Sequence, residues 1–176
     1  TLIGPLSSGT NGNDLILSFG TSNCIDAGAG DDIIFGSNGN DNIFGNGGDD
    51  IIFGGDGNDR LGGGDGADWI LAGNGNDTVS GGNGNDIIFG ENGNDIVLGD
   101  DGNDAIFGGN GNDNIAGGNG EDTIIGNAGS DSLHGDDGND AILRDANDSY
   151  INGGTGNNIT GYELNGTPSS LENLLG

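Results

Sequence analysis

A nine-residue period restricts what this chain can fold into more than any other feature. Its markers are Asp14, Asp32, Asp41, Asp50, Asp59, Asp68, Asp77, Asp86, Asp95, Asp104, Asp113, Asp122, Asp131 and Asp140. Each gap is nine residues, except one of eighteen where Asn23 holds the skipped place. With the aspartate counted as position six, position four is always glycine: Gly12, Gly30, Gly39, Gly48, Gly57, Gly66, Gly75, Gly84, Gly93, Gly102, Gly111, Gly120, Gly129 and Gly138. Position eight is always Ile, Leu or Val. A nine-residue unit cannot bury its own apolar side chain, so such units must stack.

The unit divides into a turn and a strand. Its glycine-rich hexad tolerates positive φ, and Asn and Asp suit the remaining turn places. The three residues after the aspartate are rich in Ile, Val, Leu and Phe, which predicts a three-residue strand. Alternation then sends position eight inward and positions seven and nine outward.

Two successive units make one coil of eighteen residues, because alternate units differ. One series carries Ile16, Ile34, Ile52, Ile70, Ile88, Ile106, Ile124 and Ile142 at position eight; the other carries the mixed set Ile25, Ile43, Leu61, Val79, Val97, Ile115, Leu133 and Ile151. Outward on the first predicted sheet stand Leu17, Phe35, Phe53, Leu71, Phe89, Phe107, Ile125 and Leu143, joined at position seven by Leu15, Ile33, Ile51, Trp69 and Ile87. The second presents residues such as Asn42, Arg60, Thr78, Ser80, Asn114, Ser132, His134 and Asn152. Eight strands spaced ~4.8 Å apart span about 40 Å. They predict an exposed apolar strip on the order of 500 Å², a size associated with interaction sites. A partner, a second copy or another part of the chain could cover it.

Charge narrows the partners. Only Arg60 and Arg144 oppose 29 acidic side chains, for a formal net charge of −27 in 176 residues. Phosphate recognition needs clustered Lys and Arg, so nucleic acid is excluded as a natural partner. No apolar run approaches the ~18 residues of a membrane span. Cys24 is the one cysteine, which rules out an internal disulfide and a paired-cysteine metal site. It is expected outward and inert, an intermolecular disulfide being the alternative. No basic-plus-apolar leader opens the sequence, so Thr1 is expected to mark a processed or excised start.

Carboxylates repeated on the same turn one coil apart repel one another unless a cation sits between them. Calcium fits best, taking 6–8 oxygen ligands at about 2.3–2.6 Å with tolerance for irregular geometry. Magnesium demands a stricter octahedron, and zinc prefers His or Cys. The chain has one of each.

Units such as Gly81-Gly82-Asn83-Gly84-Asn85-Asp86-Ile87-Ile88-Phe89 fit Gly-Gly-x-Gly-x-Asp-x-aliphatic-x at every place. Over residues 9–143 the chain resembles the RTX (repeat-in-toxin) calcium-binding family, whose signature this is. The resemblance implies an all-β, right-handed parallel β-roll of two sheets. It also implies that one turn gives the carbonyls of positions two and four with its aspartate, and the turn one coil later those of positions one and three with its own. One site would then use Gly82, Gly84 and Asp86 with Gly99, Asp101 and Asp104. The position-one glycines so implicated are Gly45, Gly54, Gly63, Gly81, Gly90, Gly99, Gly108, Gly117, Gly126 and Gly135. Eight aspartate turns on one edge and six on the other leave gaps for about a dozen ions. These would bring the net charge to about −3. Without them the chain is expected to stay largely unfolded, so that binding and folding are one event. Members of this family are typically bacterial, exported unfolded in one step, and fold where calcium is millimolar.

The pattern decays at the ends, which divides the chain into an N-terminal cap over 1–8, the repeats over 9–143, and degenerate repeats with a C-terminal cap over 144–176. The unit Ser18–Asp26 has Thr21 and Asn23 at positions four and six. After Arg144 the ligand is expected to be lost at Ser149, Ile151 stays inward, and the next unit places Ile159 one residue early. The tail Thr167–Gly176 carries a short amphipathic helix signal. No nucleophile elbow or zinc-protease motif is present, and His134, the sole histidine, falls outward on the polar sheet. The reading is therefore not an enzyme but a secreted or cell-surface calcium-dependent scaffold that self-associates into a dimer, layer or fibre. The alternative is a calcium-binding module of a larger secreted lipase, protease or toxin. An ice- or surface-binding adhesin ranks lower, because the outward ladder is Phe and Leu rather than Thr.

Overall fold

The computed structural model describes residues 2–3 and 6–162; the helix signal at Thr167–Gly176 lies outside them. Successive strands alternate between two all-parallel sheets. One holds ten strands, from Leu2–Ile3 through Leu15–Leu17 and Ile33–Asn38 to Ile159–Tyr162; the other holds nine, from Leu6–Ser8 to Tyr150–Asn152. Strands two apart in sequence pair, and from Leu6–Ser8 on the register advances by eighteen residues, as in Ile88 opposite Ile106 and Val79 opposite Val97; Leu2–Ile3 alone is offset by fourteen, with Leu2 opposite Ile16. The result is a two-sheet solenoid of about eight coils, eighteen residues each. Among the described residues no helix is long and apolar enough to cross a membrane.

The core is the pair of predicted ladders. Ile16 through Ile142 on one side, and Ile25 through Leu133 on the other, are fully buried, with Ala27 and Ala72 between them. Burying each aliphatic side chain contributes about 2 kcal/mol. Ile151, expected inward, packs against this core but is only half-buried, because Tyr150–Asn152 is the last described strand of its sheet.

The strands are longer than the apolar pattern predicts: most run six residues, as in Ile87–Asn92, and continue through positions one to three of the next unit. Alternation therefore turns position one inward as well as position eight, and the burial along Trp69–Asn74 shows both. A glycine at that second inward place gives no hydrophobic signal, which is why a reading based on side chains stops the strand too early.

The outer face of the first sheet carries the apolar row. Phe35 stacks on Phe53 with ring centroids 4.6 Å apart, and Phe89 on Phe107 at 4.8 Å. Stacking leaves Leu17, Phe53, Leu71, Phe89, Phe107, Ile125 and Leu143 half-buried, while Leu15, Ile33, Phe35, Trp69 and Ile87 stay exposed. The second sheet is less uniformly polar than its Asn and Ser residues suggest. Ile96 and Leu98 stand exposed on it, and Phe44 is half-buried there against the gap left by Gly62. Cys24 is an exposed free thiol. His134 lies on this face 5.2 Å from the Tyr150 ring, with Nε2 3.2 Å from Ser132 Oγ.

Two departures mark the C-terminal end. Ile159 pairs with Ala141 and points outward, so Thr160 takes the place opposite Ile142. The turn Arg144–Ser149 has none of the positive-φ residues found in the regular turns.

Candidate metal centre

Each turn ends on its aspartate, whose side chain folds back under the turn instead of reaching into solvent. From Asp32 to Asp140 all thirteen of these residues are buried, none more than 3% exposed. Their two oxygens have different fates. Oδ1 accepts the backbone N–H of the aspartate one coil earlier: Asp86 N–H donates to Asp104 Oδ1 at 2.8 Å, and Asp77 N–H to Asp95 Oδ1 at 2.8 Å. Oδ2 of all thirteen is buried without any hydrogen-bond partner. A buried acceptor left unmade costs about 1–3 kcal/mol, and more when charged. Repeated thirteen times, that cost matches or exceeds the 5–15 kcal/mol by which a domain is typically stable.

Backbone oxygens surround these atoms. A Cβ built on Gly81 would overlap Asp86 Oδ2 and stand 2.8 Å from the carbonyl oxygen of Gly99, one coil on. The same convergence recurs at Gly36, Gly45, Gly54, Gly63, Gly90, Gly99, Gly108, Gly117 and Gly135. The position-four glycines are needed for another reason. Gly102 has φ 142, and a Cβ there would overlap the carbonyl oxygen of Gly84, which points along the axis at the next coil. Carbonyls of positions one and four thus face the gaps between turns, as do the aspartates. Among the described residues no three His, Cys, Asp or Glu side chains converge as a metal site. An ion held here would draw on two carboxylates and otherwise on backbone oxygens.

Electrostatics makes the same point. At the ~4.8 Å coil spacing, two ionised carboxylates repel by about 3 kcal/mol at an effective dielectric constant of 20. Burial accordingly pushes the carboxyls of Asp50, Asp59 and Asp122 up to about 6, and those of Asp68, Asp95, Asp104 and Asp131 up to about 7. Neighbouring aspartates one coil away add to the rise at these positions. Asp14 goes the other way: the Thr10 hydroxyl and N–H, both 2.8 Å from its Oδ2, hold its carboxyl below the ordinary value.

Two files of buried, half-satisfied carboxylates facing inward carbonyls have a counterpart among known families. The model of the RTX calcium-binding nonapeptide repeat matches residues 8–34, 26–61, 62–97, 81–115, 89–124, 107–142 and 116–149. The chain belongs to the RTX calcium-binding repeat family. No curated protein matches it significantly. This RTX chain is a calcium-binding repeat protein, and its residues fit the ion: unpartnered Oδ2 atoms and a cradle that a Cβ would fill are what a hard, oxygen-seeking cation requires.

The files end differently from their middles. Asn23 occupies an aspartate place, and its Nδ2 donates to Gly36 O at 3.0 Å and to Asp41 Oδ1 at 2.7 Å. The amide thus satisfies the Gly36 carbonyl and adds a second donor to Asp41 Oδ1, while Asp41 Oδ2 stays unpartnered like the others. Asn158 closes the other file similarly: its Oδ1 accepts Asp140 N–H at 2.7 Å, and its Nδ2 donates to Gly153 O. At two places, Ala27 and Ala72, a fully buried methyl stands where glycine leaves room elsewhere. Ser149 stands at the next aspartate place of the second file and brings no carboxylate to it. Ser149 instead donates from both N and Oγ to Asp131 O at 2.8 Å, while Asp148, one residue earlier, presents Oδ1 to Asp131 N–H at 3.4 Å. Sequence spacing hides this, since Asp148 is out of frame.

Proposed function

We propose that the chain is a secreted, calcium-loaded structural scaffold that folds as ions fill the two aspartate files, and that its copies associate through the apolar face of the first sheet. One observation carries this reading: thirteen buried aspartates each leave an oxygen unpartnered, an arrangement that is unfavourable for a metal-free chain of charge −27. About a dozen calcium ions, one between each pair of successive aspartates in a file, would neutralise that charge nearly completely. Their ligands are the position-six aspartates with carbonyls of positions one to four, as in Gly82, Gly84, Asp86, Gly99, Asp101 and Asp104. Folding outside the cell, where calcium is millimolar, follows from this, because the unfilled chain is too anionic and glycine-rich to collapse.

The exposed row of Leu15, Ile33, Phe35, Trp69 and Ile87 supports association. The same row favours a second reading, in which the roll is one module of a larger secreted protein and packs on a neighbouring domain. Light scattering with calcium added and then chelated separates the two. The scaffold reading expects an assembly in millimolar calcium that dissolves and unfolds in chelator. A monodisperse monomer at high concentration in calcium supports the module instead, and an unchanged β-type circular dichroism spectrum in chelator removes both.

A further inference from the structure

The two files have four ends, and three carry an uncharged residue: Thr10, which donates to Asp14 Oδ2; Asn23, whose Nδ2 donates to Asp41 Oδ1 and Gly36 O; and Asn158, whose Oδ1 accepts Asp140 N–H and whose Nδ2 donates to Gly153 O. The fourth end brings one carboxylate against another. Asp131 is fully buried and its Oδ2 has no partner. The residue facing it from the following coil is Asp148, whose Oδ1 takes the Asp131 N–H as a position-six aspartate would. Asp148 is held in that aim: its Oδ2 accepts Asp145 N–H at 2.9 Å, and the buried Asp145 carboxylate accepts Asn147 N–H at 2.6 Å and Nδ2 at 3.3 Å. No donor in the turn reaches Asp131 Oδ2.

We infer that Asp131 and Asp148, seventeen residues apart instead of eighteen, form an additional calcium site that closes the second file. The inference rests on the calcium reading of the regular turns. The turn reaches this geometry by another backbone route, without the positive φ of a position-four glycine, since Asn147 stands there. That route has a consequence for affinity. At other position-one glycines, such as Gly117 and Gly135, the carbonyl of the next coil lies within 2.9 Å of where a Cβ would be; at Gly126 the nearest atoms all belong to Asp131. With that protein oxygen drawn back, water completes the shell. The site is then weaker than the regular ones and fills last.

The test is Asp148→Asn on the full chain, with bound calcium counted by equilibrium dialysis across a calcium titration. An amide keeps Oδ1 as acceptor for the Asp131 N–H and places an uncharged side chain at this end, as Asn23 and Asn158 do at theirs; it forfeits the bond from Asp145 N–H, one hydrogen bond at the edge of the roll, and the variant should fold in calcium. The expected result is one ion fewer per chain, with the lowest-affinity step of the titration gone. An unchanged count overturns the inference, and so does the loss of several ions, which would make Asp148 a support for the whole file. Should the variant fail to fold, Asp148→Asn with Ser149→Asp moves the carboxylate back into frame: the wild-type count then supports the site, and one ion more than the wild type, which would mean that the wild-type end held none, overturns it. A wild-type chain that binds no calcium at all defeats the calcium reading itself, an outcome distinct from these.

Discussion

Position two shows how narrowly the turn constrains single residues. Ser37, Asn46, Glu91, Asp100, Asn127 and Asp136 all hold positive φ there, between 67 and 85 degrees. A side chain in the left-handed region costs roughly 1–2 kcal/mol, which glycine avoids. Glu91→Gly should therefore stabilise the calcium-loaded roll by about 1 kcal/mol, read as a higher unfolding midpoint in denaturant at saturating calcium. No change or a loss would mean that Glu91 has a compensating role. The aspartates obey a different rule. In the unfolded chain their carboxyls titrate near 3.8, and in the metal-free fold those of Asp68, Asp95, Asp104 and Asp131 titrate near 7. Their contribution to the metal-free fold is fully present below the unfolded value and is lost as pH rises through 7. Metal-free protein should accordingly show more β-type circular dichroism at pH 4 than at pH 8. Calcium reverses that preference, because it binds the ionised carboxylates. Equal order at both pH values would count against proton and calcium competing for the same oxygens.

Strands in this molecule divide their faces between two tasks. Inward, position eight supplies the aliphatic ladder and position one leaves room for the carboxylate beneath the turn. Outward on the first sheet, the Phe35–Phe53 and Phe89–Phe107 stacks add aromatic contact to a surface that the roll itself does not cover. Such pairs are worth about 0.5–1.5 kcal/mol each beyond their buried area. Because they lie outside the core, Phe53→Ser with Phe89→Ser should abolish calcium-dependent assembly in light scattering while calcium-induced folding survives nearly intact. Assembly that persists in this variant would move the contact to the ends of the roll or to Ile96 and Leu98 on the opposite sheet.

The whole roll behaves as a column whose coils touch only their neighbours above and below. Hydrophobic burial in so thin a core is modest, and the acidic files oppose it, so stability is tied to the cation. The ends are where such a column is vulnerable, since an open gap leaves the last oxygens unsatisfied and the last strand unpaired. This chain places uncharged side chains at three ends, which satisfy part of those oxygens, and by the proposed Asp131–Asp148 site an ion at the fourth. Coils near Ala27 and Ala72, where a methyl replaces the glycine hydrogen, interrupt an otherwise uniform pair of files.

Much of this architecture is legible in one dimension, because the determinants repeat locally. The nine-residue spacing of aspartate and glycine marks the turns, position eight marks the core, and the contrast between Phe89 and Ser80 separates the two sheets. What the spacing does not contain is how an atom in one coil meets an atom in the next. The continuation of each strand through position one, the division of labour between Oδ1 and Oδ2, and the amide of Asn23 bridging to Gly36 and Asp41 all arise from stacking along the axis. Asp148 is the sharpest case: counted along the chain it is out of frame, and only a backbone that takes a different path through Arg144–Ser149 brings its carboxylate under Asp131. Periodicity is a property of the covalent chain. Contacts between coils depend on the route the backbone takes between them, and that is decided in three dimensions.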